Sequence, residues 1–510
     1  MSTLGIKISN PRPFSGATFA RDFTASIVVF LVAMPLCMGI AVASGVPPEK
    51  GLITGIIGGL IAGTLAGSPL QVSGPAAGLA VLVLELVREQ GITALGPILV
   101  LAGIIQFAAG ALKLGGWFRA ISPAVVHGML AGIGTLIVLG QVHLMFDAKP
   151  GANGPENLVL IPERLLGLSP TDIGQNELAF LLGIITIGAM LGWEKWRPAS
   201  MKMLPGALVG VVAATLVAFF GGLDVARVTV PASIFAAIAP PGAGFFSGLM
   251  QPSVLVTAFA IAFIASAETL LSAAAVDRMH NGVRTNYDKE LRAQGVGNLL
   301  CGFAGALPMT GVIVRSSANV QAGAMTRAST IMHGAWILGF VVLLPWLLRE
   351  IPMAALGGIL VITGWRLVSL KHVRHLFHNY GWLPAVIWVA TFTTVVATDL
   401  LTGVLVGIGL SLVEILPLLK KVRLDVNMHD DGAVREIALV GAATFVTLPK
   451  FSRALDTVPT DRPLRLNLKK LAAIDHTTTE MLVDWLARIR GGGTLVELTG
   501  APKNPHHRIA

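Results

Sequence analysis

Residues 306–326 read ALPMTGVIVRSSANVQAGAMT and carry a single charge, Arg315. Pro308 and Gly311 stop any upstream helix from running into this stretch. The helix that follows is too short to cross a bilayer, which takes about 20 residues. A helix that begins inside a membrane leaves its first amide N–H groups without acceptors, and its dipole adds partial positive charge there. Such an end attracts anions. An earlier stretch has the same plan: Gln71, Val72, Ser73, Gly74, Pro75, Ala76, Ala77 and Gly78 precede an apolar run over 79–86. Segments interrupted by Gly and Pro at matching places in two halves of a chain point to a transporter's binding site. The plainer alternative is a pair of kinks in ordinary helices.

Two such helix ends meeting at mid-membrane would present two positive dipole ends to one point, where the low dielectric strengthens them. The expected ligands of a small anion are the backbone N–H groups of Ala76, Ala77, Gly78, Gly311, Val312 and Ile313. The hydroxyls of Ser73 and Thr310 stand beside them, and Gly74 and Pro75 shape the turn. Arg315, about one helical turn further on, raises the positive field. An intramembrane Arg is expensive and faces a cavity or a partner; the structural alternative pairs it with Glu268 or Glu85. Glu268 lies in the apolar run 258–275. A carboxylate there must be neutralised by a proton, a Na+ ion or Arg315. Glu268 is therefore read as a coupling residue, with Ser272 one turn later and Thr310 as further oxygen ligands of a Na+ ion. A structural acid holding Arg315 is the competing reading. Pro35 and Leu36 are expected to break the first apolar segment near the same depth and to line the pocket.

The elements that must position these residues are apolar helices. Of the 510 residues, 54% are hydrophobic and only 13% charged, against about 25% charged in soluble proteins. Fourteen apolar segments fall near 22–44, 51–66, 75–88, 92–112, 121–145, 178–193 and 204–221, then near 252–275, 293–306, 310–323, 330–348, 352–366, 382–398 and 400–419. With the N-terminus inside, loops on the cytoplasmic side hold 19 Lys and Arg and loops on the other side hold 6. That asymmetry supports an even number of crossings with both termini cytoplasmic, and the expected location is the inner (plasma) membrane. It also accounts for the net charge of +9 without nucleic acid. Lys7 and Arg12 in a polar N-terminal segment, residues 1–21, argue against a cleavable signal peptide. Cys37 and Cys301 are not spaced for metal and are expected to pack as small hydrophobes. His372, His375 and His378 recur at helical spacing, and a basic interfacial surface is favoured over a metal site. His506 and His507 carry no inference.

Beyond residue 425 soluble patterning appears, after the basic cluster Lys420, Lys421 and Arg423. Alternation predicts strands over 434–440, 464–468 and 494–498. Residues 477–490 are predicted to form a helix, with Leu482, Trp485 and Leu486 on one face and Gly491, Gly492 and Gly493 ending it. The result is a small cytoplasmic α/β domain over 425–510, behind a transport domain over 22–424.

The residues resemble the sulfate permease (SulP) family of inorganic anion transporters. The matches are Pro35 with Met38, Ser73-Gly74-Pro75, Ala267-Glu268, and Ala293-Gln294-Gly295 with Asn298; Gly311, Arg315-Ser316, Asn319, Gly323 and Thr326 complete them. The resemblance implies a polytopic α-helical membrane protein of about fourteen segments in a seven-plus-seven inverted repeat with two half-helices. It implies a core domain near 22–112 and 252–348 and a gate or scaffold domain near 121–221 and 352–419. Some members carry the coupling carboxylate at the position of Glu268. The C-terminal part looks like the family's STAS domain, with Asp475 before its helix. His476-Thr477-Thr478 departs from the usual pattern there, so a phosphorylated serine is not carried over.

The expected function is secondary transport of a small inorganic anion, bicarbonate or sulfate first, by alternating access and coupled to Na+ or H+. An anion channel, or an exchanger for chloride or dicarboxylate, is the alternative on the same scaffold, and a membrane sensor stands third. No G-x-x-x-x-G-K-[ST] motif and no paired catalytic constellation occurs, which disfavours primary transport and an enzyme. No cofactor is expected beyond the Na+ ion. The partners are the anion, the lipid bilayer and a second copy in a homodimer, with no nucleic acid.

Overall fold

Helix starts follow proline and polar caps closely in this chain. The computed structural model describes residues 16–118, 122–151, 153–167, 174–201, 203–242, 245–280, 282–368, 373–374, 377–378, 381–415, 424–430, 432, 434–444, 446–459, 461–491 and 493–500. Residues 1–15 with Lys7 and Arg12, Lys420, Lys421, Arg423, His372, His375, His506 and His507 lie outside that set.

The first half runs α1 (Gly16–Ala43), α2 (Pro48–Ile57), β1 (Ser73–Pro75), α3 (Ala80–Gln90), α4 (Leu95–Ala111), α5 (Pro123–Met145), α6 (Gly154–Leu166), α7 (Gln175–Trp196) and α8 (Gly206–Phe220). The second half repeats the opening order: α9 (Pro252–Met279), α10 (Tyr287–Phe303), β2 (Met309–Gly311), α11 (Ile313–Gln321), α12 (Ala328–Leu343), α13 (Met353–Leu367), α14 (Trp382–Ala397) and α15 (Leu400–Ile415). Both halves open on a helix of 28 residues, α1 and α9. Among the described residues five stretches are long and apolar enough to cross a membrane: α1, Ile92–Ala111, α5, α7 and α9.

Two expectations need correction. Pro35 does not break the first segment: α1 runs through it from Gly16 to Ala43. A proline removes one ladder bond, and the buried packing around Pro35 holds the helix on either side. The ninth segment starts at Tyr287 rather than near 293, because Asn286 caps it by accepting from the Lys289 N–H. Hydropathy missed this turn because its acidic residues, Asp288 and Glu290, look soluble.

Close packing of α4 on α10 rests on a glycine seam. Gly96, Gly103 and Gly110 are spaced by seven, and a Cβ at Gly103 would meet the Leu299 backbone N at 2.5 Å. Gly295 and Gly302 answer from α10, where a Cβ at Gly302 would meet the Gly96 carbonyl at 2.7 Å. Small residues let helices approach where lipid supplies no hydrophobic drive. In α2 the last turns open into a π-turn, Gly58–Ala62, where Gly58 lies against the Ser73 carbonyl and Gly59 against Gly334.

Among the described residues the chain packs as two units, Met1–Lys113 with Ile133–Arg366, and Leu114–Gly132 with Leu367–Ala510; the boundary falls inside α5. The second unit contains a sheet of β3 (Leu424–Asp430), β4 (Arg435–Ala443), β5 (Leu464–Ile474) and β6 (Val496–Thr499), in that spatial order. The β3–β4 pair is antiparallel and the others parallel. Helices α16 (Leu448–Asp456) and α17 (His476–Gly491) complete it. Leu482, Trp485 and Leu486 are buried with Phe451, Ile437 and Leu466 in its core. Asp475 caps α17 by accepting from the Thr478 N–H at 2.8 Å. The sequence reading missed β3 and α16. β3 is an edge strand with mostly exposed side chains, although Leu424, Val426 and Met428 do alternate with polar residues along it.

Candidate functional site

β1 and β2 are three residues each and pair antiparallel, with Ser73 opposite Gly311, Gly74 opposite Thr310 and Pro75 opposite Met309. The two interrupted stretches therefore cross at one point inside the first unit. Each strand leads directly into a helix start. A 3₁₀ turn, Ala77–Leu79, opens α3, and α11 starts at Ile313; neither start has a side-chain cap. Two uncapped helix N-termini thus flank one small sheet, and uncapped N–H groups carry the positive end of the dipole.

Of the six expected amide donors, three have partners within this framework. Ala76 N–H donates to the Pro308 carbonyl and Val312 N–H to the Val72 carbonyl. Gly311 N–H donates to the Thr269 hydroxyl at 3.1 Å. Those bonds hold the crossing together. The Gly78 amide lies beside the Glu268 carboxylate. Ala77 and Ile313 are left at the mouths of the two helices, Ala77 half-buried and Ile313 exposed. Ser73 is buried and accepts through its hydroxyl from Gln294 Nε2 at 2.7 Å.

Arg315 is the largest fully buried side chain, at 0% exposure. Its Nε, Nη1 and Nη2 all lack hydrogen-bond partners. The guanidinium approaches Gly74 through Nη1: a Cβ at that glycine would meet Cζ at 3.1 Å and Nη1 closer still. The structure does not pair Arg315 with Glu268, whose Oε2 is itself without a partner. Glu268 instead lies against Gly78, where a Cβ would meet Oε2 at 2.8 Å. The Thr310 hydroxyl is next to the same carboxylate, yet Thr310 Oγ1 makes no hydrogen bond of normal geometry. Two orphaned buried oxygens side by side suit a proton or a hard cation such as Na+. Ser272, one turn beyond Glu268, is buried as well. Leu36 and Pro35 are buried on α1, beside Cys37, whose thiol lies next to the Arg315 guanidinium without a hydrogen bond of normal geometry. Among the described residues no group of three His, Cys, Asp or Glu gathers to hold a metal ion.

Gln294 and Asn298 belong to the family motif, and Glu290, one turn earlier, extends them into a row that the sequence reading did not identify. Glu290, Gln294 and Asn298, spaced by four on α10, are all fully buried. Asn298 receives the Met309 N–H at 2.7 Å and donates to the Met309 carbonyl at 3.0 Å, closing on β2 as a neighbouring strand would. It also donates to Gln106 Oε1 at 2.7 Å. Gln294 reaches Ser73 and Glu290, and Glu290 accepts from the Gly67 and Ser68 N–H groups at 2.8 and 2.9 Å. This ladder fixes both strands of the crossing. A period-four row of polar residues in an apolar helix is the signal that could have identified it.

The model of the "Sulfate permease family" matches residues 19–391. The chain is 27% identical to the "Putative sulfate transporter YvdB" of Bacillus subtilis, over 96% of this chain and 93% of that one. It is 25% identical to the "Bicarbonate transporter BicA" of Picosynechococcus sp., over 76% of this chain and 68% of that one. The solved transmembrane domain of a cyanobacterial BicA superposes with a TM-score of 0.65 at 23% identity, covering 78% of this chain and 99% of that chain. The structure of SLC26A9 superposes with a TM-score of 0.68 at 14% identity, over 96% and 85%. These two show a shared multi-pass helical membrane fold. With the family model spanning most of the residues that build the strand crossing and its two helix starts, the chain belongs to the sulfate permease family.

Proposed function

We propose that this protein is a secondary transporter of a small inorganic anion, bicarbonate or sulfate, working by alternating access. The observation that carries the reading is Arg315: a fully buried cation with three unpartnered nitrogens beside two uncapped helix starts. An unpaired buried charge is strongly unfavourable. A small anion in contact with the guanidinium would satisfy it. The mouths at Ala77 and Ile313 would add dipole and amide donors, with the Ser73 and Thr310 hydroxyls nearby. The family's named members are transporters, and the chain is a transporter rather than an enzyme.

In this reading Glu268 takes a proton or Na+ with Thr310 and Ser272, so that anion and cation cross together with reduced net charge. The fourteen helical segments would cross in a seven-plus-seven inverted repeat, with the core over 22–112 and 252–348. The termini would be cytoplasmic, in the plasma membrane. The sheet from β3 to β6 would be a STAS-like domain that tunes assembly or rate, and the protein would be a homodimer. The deciding experiment is uptake into proteoliposomes with labelled bicarbonate and sulfate, varying Na+ and pH gradients separately. Accumulation against the anion gradient supports a coupled carrier. Flux that only dissipates a gradient indicates a channel or exchanger, and no flux of any anion refutes transport.

A further inference from the structure

Helix α6, GPENLVLIPERLL, is inside out for a soluble surface helix. At 100° per residue, Pro155, Leu158, Val159, Pro162, Leu165 and Leu166 fall on one face about 120° wide. All six are exposed, Leu158 to 59%, Val159 to 73% and Leu166 to 86%. The opposite face, with Asn157, Leu160, Ile161 and Arg164, is buried or half-buried, and Glu156 and Glu163 stand exposed at its edge. Asn157 is buried, donates to the Asn153 carbonyl at 2.8 Å and accepts from the Gly151 N–H at 2.7 Å. His143 Nε2 is 3.2 Å from the Asn157 carbonyl oxygen. Arg164 donates to the Lys149 carbonyl at 3.1 Å. A helix facing water would invert this arrangement, because apolar surface is driven out of water.

α6 joins the end of α5 to the start of α7, two helices apolar and long enough to cross a membrane. α7 likewise exposes large apolar side chains, Leu181 and Ile184 among them. We infer that α6 lies flat in the bilayer interface, its six apolar residues among the upper acyl chains, Asn157 and Arg164 against the protein and Glu156 and Glu163 at the water edge. The helix is also tied to the binding region. Arg88, in the last turn of α3, donates to the Gly151 and Pro150 carbonyls at 2.8 and 3.0 Å. The far end of one half-helix is thereby moored to an element that floats at a fixed depth.

The test uses nitroxide labels on the full chain in vesicles of phosphatidylethanolamine and phosphatidylglycerol. Cys37 and Cys301 are completely buried, so a label attaches at an introduced thiol. Leu158→Cys probes the apolar face and Glu163→Cys the polar edge, with Leu166→Cys replacing the first if it does not fold. The ratio of oxygen to water-soluble nickel-complex collision rates should be at least tenfold higher at Leu158→Cys than at Glu163→Cys. Equal ratios would overturn the inference by placing the face in water. Exclusion of both relaxers at Leu158→Cys, with spin–spin broadening between copies, would overturn it in favour of a protein interface.

Discussion

The contact between Gly74 and Arg315 makes Gly74→Ala the sharpest perturbation of the proposed site. A methyl at residue 74 needs about 3.5 Å from its neighbours, and Arg315 Nη1 is far inside that distance, with Cζ at 3.1 Å. The backbone of Gly74 is held opposite Thr310 in the strand pair, so the guanidinium is the part that yields, by roughly 1 Å or more. At an effective dielectric of about 20, lengthening a charge pair from ~4 to ~5 Å loses about 0.8 kcal/mol, or roughly fourfold in affinity. If the charge-assisted hydrogen bond is lost outright, the loss is about 1.5–3 kcal/mol, or roughly 10- to 150-fold. The expected result is a rise in Kd for the transported anion of about 4- to 150-fold, measured by calorimetry on detergent-purified protein. A thermal melt run alongside should stay within a few degrees of the parent. Anion affinity within twofold of the parent, in a variant that melts normally, would refute the placement of the anion against Arg315.

Glu268→Gln keeps size and hydrogen bonding but removes the charge; anion binding or exchange should survive while uptake driven by a Na+ or proton gradient disappears, and unchanged cation dependence in proteoliposome uptake would make Glu268 structural only. Asn298→Leu strips both partners from the Met309 backbone and leaves buried polar groups unpaired, at about 1–3 kcal/mol each; a melting temperature equal to the parent's would contradict the role given to α10. In the C-terminal sheet, the Gly432 N–H and the Arg435 guanidinium hold Asp430 below the usual carboxylate range, and Arg435 does the same to Asp461. Both folded-state values are depressed, so their contribution is present above the unfolded carboxylate value of about 4 and is lost as pH falls through the folded one. Arg435→Met should flatten the acid limb of that domain's melting curve against pH, and an unchanged limb would show the cluster to be thermodynamically silent.

Proline, glycine and hydropathy act over a few residues, and what they control was legible without a structure. The interruptions at Gly74-Pro75 and at Pro308 with Gly311, the long apolar helices, and the strands and final helix around Leu466 and Trp485 all follow from neighbours along the chain. The start of α10 was hidden because Glu290 looks like a loop residue until the Gly67 and Ser68 amides are seen to satisfy it. The continuity of α1 through Pro35 was likewise a matter of packing rather than local propensity. Only the tertiary structure decided that Ser73 meets Gly311, that Asn298 serves as a third strand to Met309, and that Arg315 lies on Gly74 rather than on Glu268. Asn298 and Met309 are 11 positions apart across a helix end, but the other two contacts join residues more than 200 positions apart. Their partners are chosen by which polar groups burial leaves unsatisfied, and no window of local pattern contains both members of such a pair.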